Sequence, residues 1–260
     1  MMKVAICLFK TMLSLRYSVR ISGLNLLDVK APILILPNHQ ALIDPQLVIA
    51  HLYNRKPMAP VITEGMSNIP LVINIFKKMK AIPVSDLSAG SRDITVLSTI
   101  THQILQHLNN GGAVLLYPAG QIASQGKERI ANKQSAWLVC KNVPPGTVVL
   151  GLRIRGLWGS MWSRANTGKS PALVKTYLRA LGLVVANLVF FAPRRVVTFE
   201  IEDITELVGK ESQQGKAQFN KALEDFYNSR GEEPLSRVPR LFYVYIYEQL
   251  KSMIRSIIRR

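Results

Sequence analysis

"PILILPNHQALIDP", residues 32–45, is the stretch whose reading decides the fold. Ile33 to Leu36 form an unbroken aliphatic run between Pro32 and Pro37, too short for a core helix and too continuous for a half-exposed strand. Such a run reads as a strand buried on both faces, the kind found in parallel sheets covered by helices. Its carboxyl end delivers Asn38 and His39. Asp44 followed by Pro45 then reads as the N-cap and first helical position of a helix reaching about His51. In α/β proteins, strand carboxyl ends are where ligands bind. His39 and Asp44, five residues apart, therefore admit two readings. They form either an ordinary strand-to-helix turn, with the histidine satisfying backbone groups, or a pair in which Asp44 fixes the imidazole tautomer and leaves the other ring nitrogen as a general base. No G-x-S-x-G nucleophile elbow occurs, so a pair of this kind fits direct attack by a substrate hydroxyl on an acyl group.

Working outward, "YSVRISG" (17–23) alternates as a strand and ends on Gly23. "APVITEGM" (59–66), "AIPV" (81–84), "AVLLYPAG" (113–120), "TVVLGLRIRG" (147–156) and "VVTFEI" (196–201) read as further strands, the third of these running into a turn. Helical spacing marks residues 71–80, 93–108, 134–141, 171–191, 217–228 and 241–260. Strands alternating with helices predict an α/β fold, a mostly parallel mixed sheet flanked by helices. The 260 residues suit a single domain. Residues 1–16 are its N-terminal amphipathic helix, 17–165 its core and 239–260 a C-terminal basic amphipathic helix.

The charge is lopsided: 33 Lys and Arg against 16 Asp and Glu, a net +17. That implies a polyanionic partner, whether nucleic acid, anionic lipid or an acidic protein. The charges sit beside apolar stripes in the helices at 1–16, 171–195 and 241–260, and no nucleic-acid motif is present. Such helices lie in a bilayer interface with Lys and Arg among anionic head groups, so the expected partner is the membrane surface, not nucleic acid. Trp158 and Trp162 read as core residues or interfacial anchors. The longest apolar run, Ala180–Ala192, is too short to span a bilayer. "MMKVAICLFKTMLSL" resembles a signal peptide, but Lys10 interrupts it and no small-residue cleavage site follows; it reads as a retained helix. Cys7 and Cys140 read as reduced thiols, and no Cys/His spacing suggests a metal.

"NHQALIDP" resembles the H-x4-D signature of the glycerolipid (lysophospholipid) acyltransferase family. "MKAIPV" (79–84) is similar to that family's second block, and "LLYPAGQIASQG" (115–126) to its third, usually F-P-E-G-T-R. "VVLGLRIRG" (148–156) falls where the fourth block's strand does. Within the family, the segment from "YPAGQIASQG" to "WSR" looks closest to the acyltransferase half of bifunctional 2-acylglycerophosphoethanolamine acyltransferase/acyl-carrier-protein synthetases. The resemblance implies that His39 deprotonates an acceptor hydroxyl and that Asp44 orients it. It further implies acyl-CoA or acyl carrier protein (ACP) as donor substrate, a lysophospholipid acceptor, no metal and no cofactor, and a peripheral or monotopic place on the cytoplasmic face of a membrane. Asn38, Tyr117, Pro118, Gly120 and Gln121 fall at its substrate-binding blocks, and Gly120 amides become candidates for an oxyanion contact.

The departures concern the acceptor. The third block's glutamate is Ala119 here, its arginine position holds Gln121 or Ile122, and Ser85 and Asp86 follow the second block where an arginine is common. Loss of that fork implies a phosphodiester or other acceptor, or else a catalytically silent membrane-binding member. Lys80, Arg92, Lys127, Arg129 and Lys133 either supply phosphate contacts instead or are solvated surface charges.

Overall fold

The computed structural model describes residues 2–63, 73–84, 94–190, 193–238 and 251. Among the described residues the strands are β1 (Tyr17–Ser22), β2 (Ile33–Pro37), β3 (Ala59–Thr63), β4 (Ile82–Val84), β5 (Ala113–Leu115), β6 (Val148–Arg155) and β7 (Arg195–Asp203). Its helices are α1 (Met2–Ser14), α2 (Asp44–Leu52), α3 (Ile73–Lys78), α4 (Ile94–Asn109), α5 (Ser135–Lys141), α6 (Leu173–Phe190), α7 (Thr205–Gln214) and α8 (Lys216–Asn228). The strands form one sheet in the order β1-β7-β6-β2-β5-β3-β4. Every neighbouring pair is parallel except β6 and β7. The architecture is mixed α/β, a mostly parallel sheet with helices on both faces.

β2 occupies the centre, and its aliphatic run explains why. Ile33 and Ile35 join one apolar cluster with Leu47, Val48 and Leu13, while Leu34 and Leu36 join another with Ile104, Val139 and Leu223. All four side chains are at most 1% exposed. Burial on both faces is worth about 1.5–3 kcal/mol for each, before the entropy of ordering the chain is set against it. β1 ends at Gly23 because its φ is +73°, and a Cβ there would lie 2.1 Å from the Ile201 carbonyl oxygen.

Several boundaries differ from the sequence expectations. β5 stops at Leu115, so residues 116–120 leave the sheet earlier than expected. β7 is longer than "VVTFEI" and antiparallel to β6. A 3-10 turn at Leu24–Asp28 and the helix α7 were not expected. α7 is polar and carries Gly209, and only Val208 and Ser212 are buried in it, so its apolar period is too faint to read. Residues 64–66 of the expected third strand, 71–72, 85–93 and, apart from Lys251, the C-terminal helix expected at 239–260 lie outside the described residues.

Candidate active site

Asp44 is not the N-cap the sequence suggested. α2 begins at Asp44 itself, with Ile43 preceding it, and the carboxylate turns back over the 38–43 turn. Its Oδ2 accepts the Gln40 amide at 2.6 Å and the Ala41 amide at 3.0 Å, and lies 3.0 Å from His39 Nδ1. The turn buries two main-chain donors that need an acceptor, and one carboxylate oxygen serves both as well as the imidazole. Asp44 is fully buried while the His39 side chain is 14% exposed. Burial pushes the Asp44 carboxyl above its ordinary range, and the His39 contact and the two amides oppose that shift.

His39 is held on three further sides. Its amide donates to Glu128 Oε2 at 2.8 Å, and its carbonyl accepts the Ala123 amide at 2.6 Å. Its ring packs on Tyr117, centroids 4.5 Å apart and planes tilted 42°. Gln40, the next residue, donates to Glu233 Oε2 at 2.6 Å, and Glu233 Oε1 accepts the amides of Gly156 and Trp158.

The loop carrying Tyr117, Ala123 and Glu128 is anchored in turn by α8. Asn220, Glu224 and Asn228 recur every four residues and so share one face of that helix. Asn228 bonds both the amide and the carbonyl of Glu128, Glu224 Oε1 accepts the Ile130 and Ala131 amides, and Asn220 donates to the carbonyls of Ala131 and Lys133.

The other expected site residues divide sharply. Asn38 is buried, and its amide donates to the Ile154 carbonyl at 3.0 Å and accepts the Ile154 amide at 2.6 Å, adding a side-chain rung to the β2–β6 ladder. Pro118 and Ala119 are buried beside Tyr117. Gly120, with φ +60°, spends its amide on the Tyr117 carbonyl at 3.1 Å, which makes it a turn residue. Gln121, Lys80, Lys127, Arg129 and Lys133 are all exposed, and Lys127 pairs with Glu232 at 3.4 Å. Arg92 lies outside the described residues. Among these residues, then, the structure gathers His39, Asp44, Tyr117 and Pro118 and leaves the cations outside. Glu128, Glu233 and Gln40 went unread. Glu128 and Glu233 meet the 38–40 turn only through the tertiary fold, across separations of 89 and 193 residues.

A cavity of about 1000 Å³ lies between α1 and α6. Phe9, Met12, Leu181 and Val184 contribute to its apolar wall. Arg16, Lys175, Arg179, Arg195 and Arg237 line it as well, with no carboxylate among its described lining residues. His39 does not line it, but Ile43 and Gln46, on the turn and helix bearing Asp44, do. Trp162 is buried in its wall, a core position by exposure. Among the described residues no helix is long and apolar enough to cross a membrane, and no group of His, Cys, Asp and Glu is arranged to hold a metal.

The fold and site define a mixed α/β protein with a His–Asp pair at the carboxyl end of its central parallel strand. Residues 18–151, just over half the chain, match the Acyltransferase family, and the chain belongs to that family. The fold is similar to that of the 1-acyl-sn-glycerophosphate (LPA) acyltransferase PlsC from Thermotoga maritima. The two share 15% identity with a TM-score of 0.57, over 88% of this chain and 79% of that one. No curated protein matches the sequence.

Proposed function

We propose that this acyltransferase moves a fatty acyl chain from acyl-CoA or acyl-ACP to the hydroxyl of a lysophospholipid at a membrane surface. The observation that carries the reading is the 3.0 Å contact between His39 Nδ1 and Asp44 Oδ2 at the sheet's carboxyl edge. With Nδ1 committed to Asp44, Nε2 is the nitrogen left for substrate. As the acceptor hydroxyl attacks the thioester carbonyl, its proton passes to Nε2 and an ester bond forms. The C–S bond then breaks, and the departing thiolate takes the proton back from the imidazolium that Asp44 has stabilised. No acyl-enzyme is needed, and no metal or cofactor enters the scheme.

Ala119 and the outward placement of Lys127 and Arg129 favour an acceptor with a phosphodiester head group over a phosphomonoester. This agrees with the resemblance to the 2-acylglycerophosphoethanolamine acyltransferases. Peripheral docking on the cytoplasmic leaflet is supported by two apolar stripes. Val4, Leu8 and Met12 on α1, and Val174, Leu178, Leu181 and Val185 on α6, are all exposed. Each set repeats at three- or four-residue steps, and both helices border the cation-rimmed cavity, whose charge suits anionic lipid.

The test is acyl transfer by the purified chain from labelled acyl-CoA and acyl-ACP to a panel of lysolipids. Transfer is expected to favour a diester lysolipid over lysophosphatidic acid. Absence of transfer to every hydroxyl acceptor would overturn the reading.

A further inference from the structure

We propose that Glu128 is a positioning residue for His39: its buried carboxyl holds the His39 main-chain amide and so fixes the backbone from which the imidazole reaches Asp44. The proposal rests on His39 acting as the base and deepens that reading. It starts from where the constraint comes from. The His39 turn leaves the sheet after Asn38, whose main-chain amide still bonds the Leu152 carbonyl of β6 at 3.2 Å, so the main-chain groups that follow depend on other partners. Glu128 Oε2 takes the amide at 2.8 Å and Ala123 N–H takes the carbonyl at 2.6 Å, both from one loop. Asn220, Glu224 and Asn228 fasten that loop to α8, giving a continuous path from a helix face to the histidine backbone. A carboxyl is an expensive way to cap one amide in an interior site, since burial disfavours its charge.

The chemistry around Glu128 fits a carboxyl that works in its neutral form. The groups facing it are His39 and Asp44 from the turn and α2, Tyr117 from its own loop, and Glu224 and Tyr227 from α8. None of these is a permanent cation. Burial first, opposed by the His39 amide and reinforced by Asp44 and Glu224, pushes the Glu128 carboxyl up to about 8. Held as the acid, it still accepts the His39 amide through its carbonyl oxygen. Asp44 then remains the one anion against the imidazole. The Oε1 of Glu128, the Oδ1 of Asp44 and the Tyr117 hydroxyl are all buried and lack a hydrogen-bond partner in the protein. The third-block carboxylate missing at Ala119 is thus replaced in the site by a carboxyl nine residues on, with a different task.

The experiment uses the full chain and two variants, Glu128→Ala and Glu128→Gln. Acyl transfer is measured from pH 6 to 9, and the His39 Nδ1 proton resonance is followed by NMR without substrate. Glu128→Ala is expected to lower kcat about tenfold or more with KM little changed, since small misplacements of a reacting group cost that much, and to broaden or shift the Nδ1 proton. Glu128→Gln keeps an acceptor for the amide and is expected to match the wild type at pH 7. It should diverge from the wild type above about pH 8, where only the wild-type carboxyl ionises. A folded Glu128→Ala with wild-type turnover and an unchanged Nδ1 resonance would overturn the proposal. If that variant does not fold, a folded Glu128→Gln that loses about tenfold or more in kcat at pH 7 despite its retained acceptor would do so. If no acceptor is turned over by any form, the functional reading fails, while the resonance still decides the role of Glu128.

Discussion

His39 meets Asp44 through its ring, Tyr117 through its face and Glu128 through its backbone, and the first and last of these contacts make separable predictions. Asp44→Ala strands the buried amides of Gln40 and Ala41, at about 1–3 kcal/mol each. It should therefore lose about 2–6 kcal/mol of stability together with activity. Asp44→Asn keeps an oxygen for both amides but presents no anion to the imidazole, so it should unfold near the wild-type denaturant midpoint while transfer falls. Loss of stability equal to that of the alanine variant would contradict this division. For Glu128 the sign follows from its raised carboxyl. The folded chain binds that proton more tightly than the unfolded one, so the contribution is complete below about pH 4.5 and is lost as pH rises towards 8. Stability should fall by about 2–4 kcal/mol across that window, and Glu128→Gln should flatten the slope. Denaturant titrations at pH 5 and 8 check this. His39 and Asp44 were legible because a turn of only four residues joins them. Glu128 was not, because nothing in "GKERIAN" says which backbone it will meet.

At the scale of elements, the sequence reads best where one element is self-sufficient. β2 declares itself by its aliphatic run, and α4 by its period. α7 does not, because its polar residues hide a helix that buries little. α8 was legible as a polar helix, but the reason for its polarity lies in the loop its Asn220–Glu224–Asn228 face secures. The exposed stripes of α1 and α6 carry the membrane prediction. Replacing Leu8 and Leu178 together by glutamate removes two apolar side chains from an interface, each worth about 1.5–3 kcal/mol. Partitioning onto anionic vesicles should then fall about a hundredfold or more, with the folded structure intact because both positions are exposed. Cosedimentation measures it, and unchanged partitioning would place docking elsewhere.

For the whole molecule, α/β alternation announced a mostly parallel sheet but could not announce its order. The antiparallel β6–β7 pairing, which sets β1 and β7 against the other five strands, is a choice between topologies of similar local pattern. The net charge of +17 predicts that vesicle binding weakens with salt, as surface electrostatics are screened. The acceptor was least legible, since Ala119 and the exposed Lys127 and Arg129 say what the pocket lacks more than what it holds. The central claim concerns His39, and one comparison tests it: acyl transfer to a diester lysolipid by the purified wild type and by His39→Ala. The account predicts turnover in the wild type and a loss of about 10²- to 10⁴-fold in the variant; equal turnover by the two would contradict it.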